Sequence, residues 1–133
     1  MSVWGILAVM MSLSIATAQQ QRVPTLPPSE VVQRIKDTSV VVLDVRTPAE
    51  FAEGYIPGSR LIPVQELPQR LRELESLREK TIIAYCRSGN RSAHAVRILR
   101  HNGFNAFNMS GGILEWKHHG YPLTTPKPAV RKP

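Results

Sequence analysis

One stretch constrains the fold of this chain more than any other: Thr81-Ile82-Ile83-Ala84-Tyr85, then Cys86-Arg87-Ser88-Gly89-Asn90-Arg91. The first five residues read as a buried strand. From Ser92 to His101 the spacing is helical, with Ser92, Ala95, Val96 and Leu99 on one face and His94, Arg97 and His101 on the other. A strand that stops at a cysteine, turns through Ser-Gly-Asn and enters a helix leaves its sulfur at the mouth of a cup of backbone N–H groups. The first turn of a helix has unpaired donors and a partial positive charge, so such a cup holds anions. Arg87 and Arg91 add two full charges. This setting is expected to lower the pKa of Cys86 and favour the thiolate, which is the nucleophilic form. The plain alternative is a cysteine serving as a small core hydrophobe. Two arginines, a serine, a glycine and an asparagine are poor company for that role.

The rest of the chain is organised around this unit. Val23 to Leu26 reads as a short edge strand. Ser29 is expected to cap a helix from Glu30 to about Lys36. Val40-Val41-Val42-Leu43 is a β-branched run, the mark of a central parallel strand buried on both faces, and it ends in Asp44 and Arg46. That pair could line a site at the strand's carboxyl end, but an ion pair that shapes the following loop is the better reading. Pro48 starts a short helix that Gly54 ends. Ser59 to Ile62 reads as the next strand. Leu67, Leu71, Leu74 and Leu77 predict a helix packing onto the sheet, with Glu66 and Arg70 as a supporting i, i+4 pair. Asn102-Gly103 stops the helix after the cysteine loop, Phe104 to Met109 reads as the last strand, and Gly111-Gly112 opens a final helix ending near Gly120. The alternation predicts an α/β fold: an open, mainly parallel sheet flanked by helices on both faces.

Several of these segments resemble the rhodanese family, the sulfurtransferases. The loop Cys86 to Arg91 is similar to that family's active-site loop. Leu43-Asp44-Val45-Arg46 looks like its Asp-x-Arg strand end, and Glu50-Phe51-Ala52-Glu53-Gly54-Tyr55-Ile56-Pro57-Gly58-Ser59 like its Glu-Phe-x-x-Gly-His-Ile-Pro-Gly-Ala segment. Ser110-Gly111-Gly112-Ile113-Leu114-Glu115-Trp116, with Gly120-Tyr121-Pro122, looks like its closing signature. The resemblance runs from about Ser29 to Leu123. Tyr55 departs from the usual His, at a position that reads as structural. The resemblance implies that Cys86 takes a sulfane sulfur from a small anionic donor such as thiosulfate, becomes a persulfide, and passes the sulfur to cyanide or a thiol. Arg87, Ser88, Gly89, Asn90, Arg91 and Ser92 would hold the substrate, with Arg87 and Arg91 orienting the dianionic donor. No metal or organic cofactor is implied.

The length, 133 residues, suits one domain, and a single cysteine excludes an internal disulfide. The formal charge of +7 suits anionic partners. The arginines are scattered over several elements and not interleaved with aromatics, so nucleic-acid binding is not expected. Residues 1–18 are a different material: apolar from Val3, without charge before Arg22, and closing in Ala16-Thr17-Ala18, the small-x-small pattern of an export signal. Cleavage after Ala18 and a periplasmic or exported location are expected. Because no Lys or Arg precedes the apolar run, an uncleaved membrane anchor is the second choice, and it would be the chain's only tie to a membrane. Residues 19–28 read as a linker, 29–123 as the domain, and 124–133 as a basic, proline-rich tail. The protein is expected to act as a monomer.

Two rival readings stand beside sulfur transfer from a small donor, and the loop spacing bears on the first. Cysteine phosphatases place five residues between Cys and Arg; here four stand between Cys86 and Arg91, with Ser92 one position further on. The tighter cup suits a sulfane sulfur better than a tetrahedral phosphoryl group. A sulfur-relay module acting on a protein partner would keep the cysteine, as this chain does. His94, on the polar helix face, reads as solvated and not as a base. His118 and His119 are adjacent on a helix and point apart, which argues against a metal site.

Overall fold

The computed structural model describes residues 22–126. The expected leader and most of the expected basic tail lie outside the described residues. Five strands, β1 (Thr25–Leu26), β2 (Val40–Asp44), β3 (Arg60–Leu61), β4 (Thr81–Tyr85) and β5 (Asn105–Met109), form one sheet in the order β1-β5-β4-β2-β3, and every pairing is parallel. Five α-helices accompany them: α1 (Pro28–Arg34), α2 (Pro48–Ala52), α3 (Leu67–Arg70), α4 (Asn90–His101) and α5 (Gly112–His118), with a 3₁₀ helix over Leu71–Leu77. The expected open parallel α/β sheet is therefore present.

Both faces of the sheet are covered, as uninterrupted apolar strands require. β4 shows how its alternating side chains divide the core. Ile82, Ala84 and Cys86 belong to one cluster with Leu67 of α3, Leu74 and Leu77 of the 3₁₀ helix, and Ala95, Val96 and Leu99 of α4. Ile83 and Tyr85 belong to the other, with Val31 of α1 and Ile113 and Trp116 of α5.

Three local expectations need correction. Ser29 is not a cap: Pro27 takes the N-cap position and Pro28 begins α1. A proline at the first helical position has its φ set for the helix and lacks an N–H that would go unpaired there anyway. The leucine segment is not one α-helix. Leu71, Leu74 and Leu77 are spaced by three, and a 3₁₀ helix with three residues per turn sets all three in one line toward the core. Thr124, expected to begin the tail, still belongs to the fold. It forms an antiparallel bridge with Tyr55, and Trp116 Nε1 donates to the Pro122 carbonyl at 2.8 Å.

Candidate active site

The cysteine loop lies at the carboxyl end of β4, where open parallel sheets place their sites. Its conformation is set from both sides. At the start of α5, the N–H of Ile113 donates to the Cys86 carbonyl at 2.9 Å, and that of Leu114 to the Arg87 carbonyl at 3.2 Å. These bonds turn the loop's oxygens toward α5 and leave its N–H groups facing the sulfur. The approach is so close that a β-carbon on Gly112 would strike the Arg87 carbonyl. On the other side Gly89 caps α4 with φ +110°, a conformation that suits glycine.

Gly89 N–H donates to Cys86 Sγ at 3.0 Å, and Ser92 Oγ stands 3.3 Å from the same sulfur. Burial opposes ionisation of Cys86 and is the largest single influence. Against it act the Ser92 hydroxyl and the N–H groups of Ser92, Gly89 and Ser88, and together they bring the thiol below its ordinary pKa. The sulfur lies deeper than the sequence suggests: Cys86 is 1% exposed, and it is a core residue and a donor-ringed thiol at once. The side chains of Arg87, Ser88 and Asn90 are exposed, while Gly89 and Ser92 are buried.

Arg91 is not a free cation. Its Nη1 and Nη2 donate to Glu50 Oε1 and Oε2 at 2.7 and 2.9 Å, a bidentate pair that joins α4 to α2. Glu50 also completes a capping box at the start of α2, exchanging bonds with Thr47. The hydrogen bond from Arg91, ahead of the bonds from Thr47, holds the Glu50 carboxyl at about 2. A carboxyl depressed in this way stabilises the fold above its ordinary pKa, and that contribution disappears as pH falls toward about 2. The pair is therefore intact throughout the neutral range. Sequence reasoning did not count Glu50 among the site residues.

Beneath the loop that leads to α2, Arg46 donates through Nε and Nη2 to Asp44, and through Nη2 to the Gly54 carbonyl at 2.7 Å. Tyr85 Oη donates to Asp44 Oδ2 at 2.7 Å and accepts from Ile56 N–H at 3.1 Å. Burial, and then the charge of Asp44, push the Tyr85 phenol well above its usual pKa. Among the described residues no three potential metal ligands stand together, and His94 is exposed.

A family model, that of the rhodanese-like domain, matches residues 27–119. The chain belongs to this family. A sulfurtransferase of Allochromatium vinosum is 39% identical over 97 residues, covering 71% of this chain and 89% of that protein. The crystal structure of a rhodanese-related protein from Thermoplasma volcanium superposes with a TM-score of 0.72 at 37% identity, covering 77% of this chain and 99% of that one. A thiosulfate sulfurtransferase of Pseudomonas aeruginosa superposes with a TM-score of 0.70 at 28% identity, covering 79% of this chain but 21% of that longer one. Rhodanese-like domains thus occur both alone and as parts of larger proteins, and the relatives of this one include proteins named sulfurtransferase.

Proposed function

We propose that this rhodanese-like protein is a sulfurtransferase that moves a sulfane sulfur from a small anionic donor, thiosulfate or a similar compound, to cyanide or a thiol through a persulfide on Cys86. The observation that carries the reading is the ring of donors on one buried sulfur: the N–H groups of Ser88, Gly89 and Ser92 and the Ser92 hydroxyl. The Cys86 thiolate attacks the outer sulfur of thiosulfate. A carbon-bound S–S bond forms, the donor's own S–S bond breaks, and sulfite leaves with the bonding pair. Fixed N–H donors stabilise the charge on the resulting persulfide without reorganising. The acceptor then attacks the outer sulfur, and Cys86 leaves as thiolate. No electron is supplied from outside in either half. The test is incubation with thiosulfate followed by intact-protein mass measurement. The expected gain is one sulfur atom, lost again on adding cyanide; no gain overturns the reading.

Two arginines serve the donor in this scheme, and they are not equivalent. Arg87 is exposed on the loop, whereas Arg91 shares its charge with Glu50. Glu50→Gln keeps a side chain able to complete the capping box and removes the competing negative charge. The expected result is a KM for thiosulfate lowered about two- to fivefold at low salt, with kcat little changed and the gain fading as salt rises. An unchanged KM would mean that Arg91 does not meet the donor.

A further inference from the structure

Ser92 stands between Cys86 and a third polar residue, Asn108 of β5. Ser92 Oγ is 2.6 Å from Asn108 Oδ1 and 3.3 Å from Cys86 Sγ, and both Ser92 and Asn108 are buried. Asn108 Nδ2 donates to the Gly89 carbonyl at 3.3 Å. Turning the carboxamide round would set its oxygen against that carbonyl, so Oδ1 faces Ser92 and can only accept. A serine hydroxyl carries one proton. While Cys86 is a thiol, that proton can rest on Asn108 and a Ser92 lone pair can face the thiol. Once Cys86 is a thiolate, the sulfur draws the same proton, and a buried carboxamide oxygen loses its donor, which is costly.

We propose that Asn108 is a positioning residue that competes with Cys86 for the single hydroxyl proton of Ser92, holding back the free thiolate relative to the sulfur-loaded cysteine. The second half rests on the persulfide reading above. In a persulfide the charge moves to the outer sulfur, and the inner one, bonded to carbon and sulfur, accepts weakly. Ser92 can then return its proton to Asn108 by rotating about Cβ–Oγ. Discharge restores the thiolate and draws the proton back, with no proton gained or lost. Charged groups around the loop include Arg87, Arg91 with its partner Glu50 on α2, and the Asp44–Arg46 pair at the end of β2, and α5 carries Glu115 in its first turn. α5 meets the loop through the N–H groups of Ile113 and Leu114. The Asn108 side chain hydrogen-bonds to Ser92 and the Gly89 carbonyl and to none of these groups.

The test is the pH dependence of Cys86 alkylation by iodoacetamide in the full chain. Asn108→Ala releases the hydroxyl to the thiolate, and the midpoint is expected to fall by about half to one pH unit. Asn108→Asp binds the proton more firmly and adds a negative charge, so the midpoint is expected to rise by at least as much. Asn108→Val, which suits a strand, carries the same expectation as Ala should the Ala variant fold poorly. In a Ser92→Ala background the Asn108→Ala shift is expected to vanish, whereas an effect passing through the Gly89 carbonyl would persist. Shifts of the same sign in Ala and Asp variants, no shift, or a shift that survives Ser92→Ala each overturn the proposal. The readout uses no sulfur donor. An unshifted midpoint in a chain that still gains sulfur from thiosulfate sinks only the role of Asn108. The expected shifts in a chain that never gains sulfur sink only the transferase reading and leave the proton competition standing.

Discussion

Cys86→Ser is expected to lower thiosulfate-dependent turnover by about a thousandfold or more and to abolish the gain of a sulfur atom, while the protein stays folded. The donors around Sγ offset the burial of a thiol because a thiol's ordinary pKa is only modestly above neutral. They cannot ionise an alcohol, whose pKa lies many units higher. A serine oxygen would also form no persulfide. The fold has little reason to object. The hydroxyl is no larger than the thiol, and Gly89 N–H and Ser92 Oγ stand ready as partners. The loss of apolar contact around position 86 should cost only about 1 kcal/mol. Thiocyanate formation, intact mass and thermal unfolding measure the three quantities. Turnover above about a hundredth of the parent's would place the nucleophile elsewhere.

The strand–loop–helix unit was legible because its signals are local. Apolar residues run to the cysteine, glycine stands where φ must be positive, and the helix face is written at helical spacing. The parallel sheet was legible for a related reason: β2 and β4 are buried on both faces, so their sequences are almost continuously apolar. What escaped are the residues that reach the loop from distant segments. Glu50 arrives because Thr47 caps α2 and thereby sets the carboxylate's direction, and a capping box alone does not say which arginine lies opposite. Asn108 did leave a trace. In Ala106-Phe107-Asn108-Met109 it shares its strand face with Ala106, a core residue of the cluster that holds Cys86. A polar residue on a buried face calls for a partner, and the partner here is Ser92. The depth of the sulfur was hidden for the opposite reason. The polar neighbours of Cys86 face solvent, while the side chain itself continues the inward row of Ile82 and Ala84.

Asp44→Ala is expected to destabilise the protein by about 3–5 kcal/mol, a large part of the 5–15 kcal/mol that holds a typical domain together. Asp44 and Arg46 are both buried, and the carboxylate accepts from the Arg46 backbone N–H, the guanidinium and the Tyr85 hydroxyl. Its removal leaves a buried cation with the Gly54 carbonyl and the face of the Tyr85 ring, and a buried phenol that loses its carboxylate acceptor and keeps Ser59 Oγ at 3.1 Å. The midpoint of thermal unfolding should fall by roughly 10–25 °C for a domain of this size. The loss follows from an orphaned charge and not from the value of the pair itself, so Asp44→Ala with Arg46→Met should recover much of it. A single variant as stable as the parent would show that water reaches Arg46. The recovery should not extend fully to the site. Arg46 fixes the Gly54 carbonyl, and Tyr85, held by Asp44, fixes the Ile56 N–H. Between them these bonds anchor the end of the segment that begins at Thr47 and carries Glu50 to Arg91. A double variant that regains its melting temperature but keeps an altered KM for thiosulfate would separate the two duties of this buried pair: keeping the domain folded, and setting where one of the loop's two guanidinium groups stands.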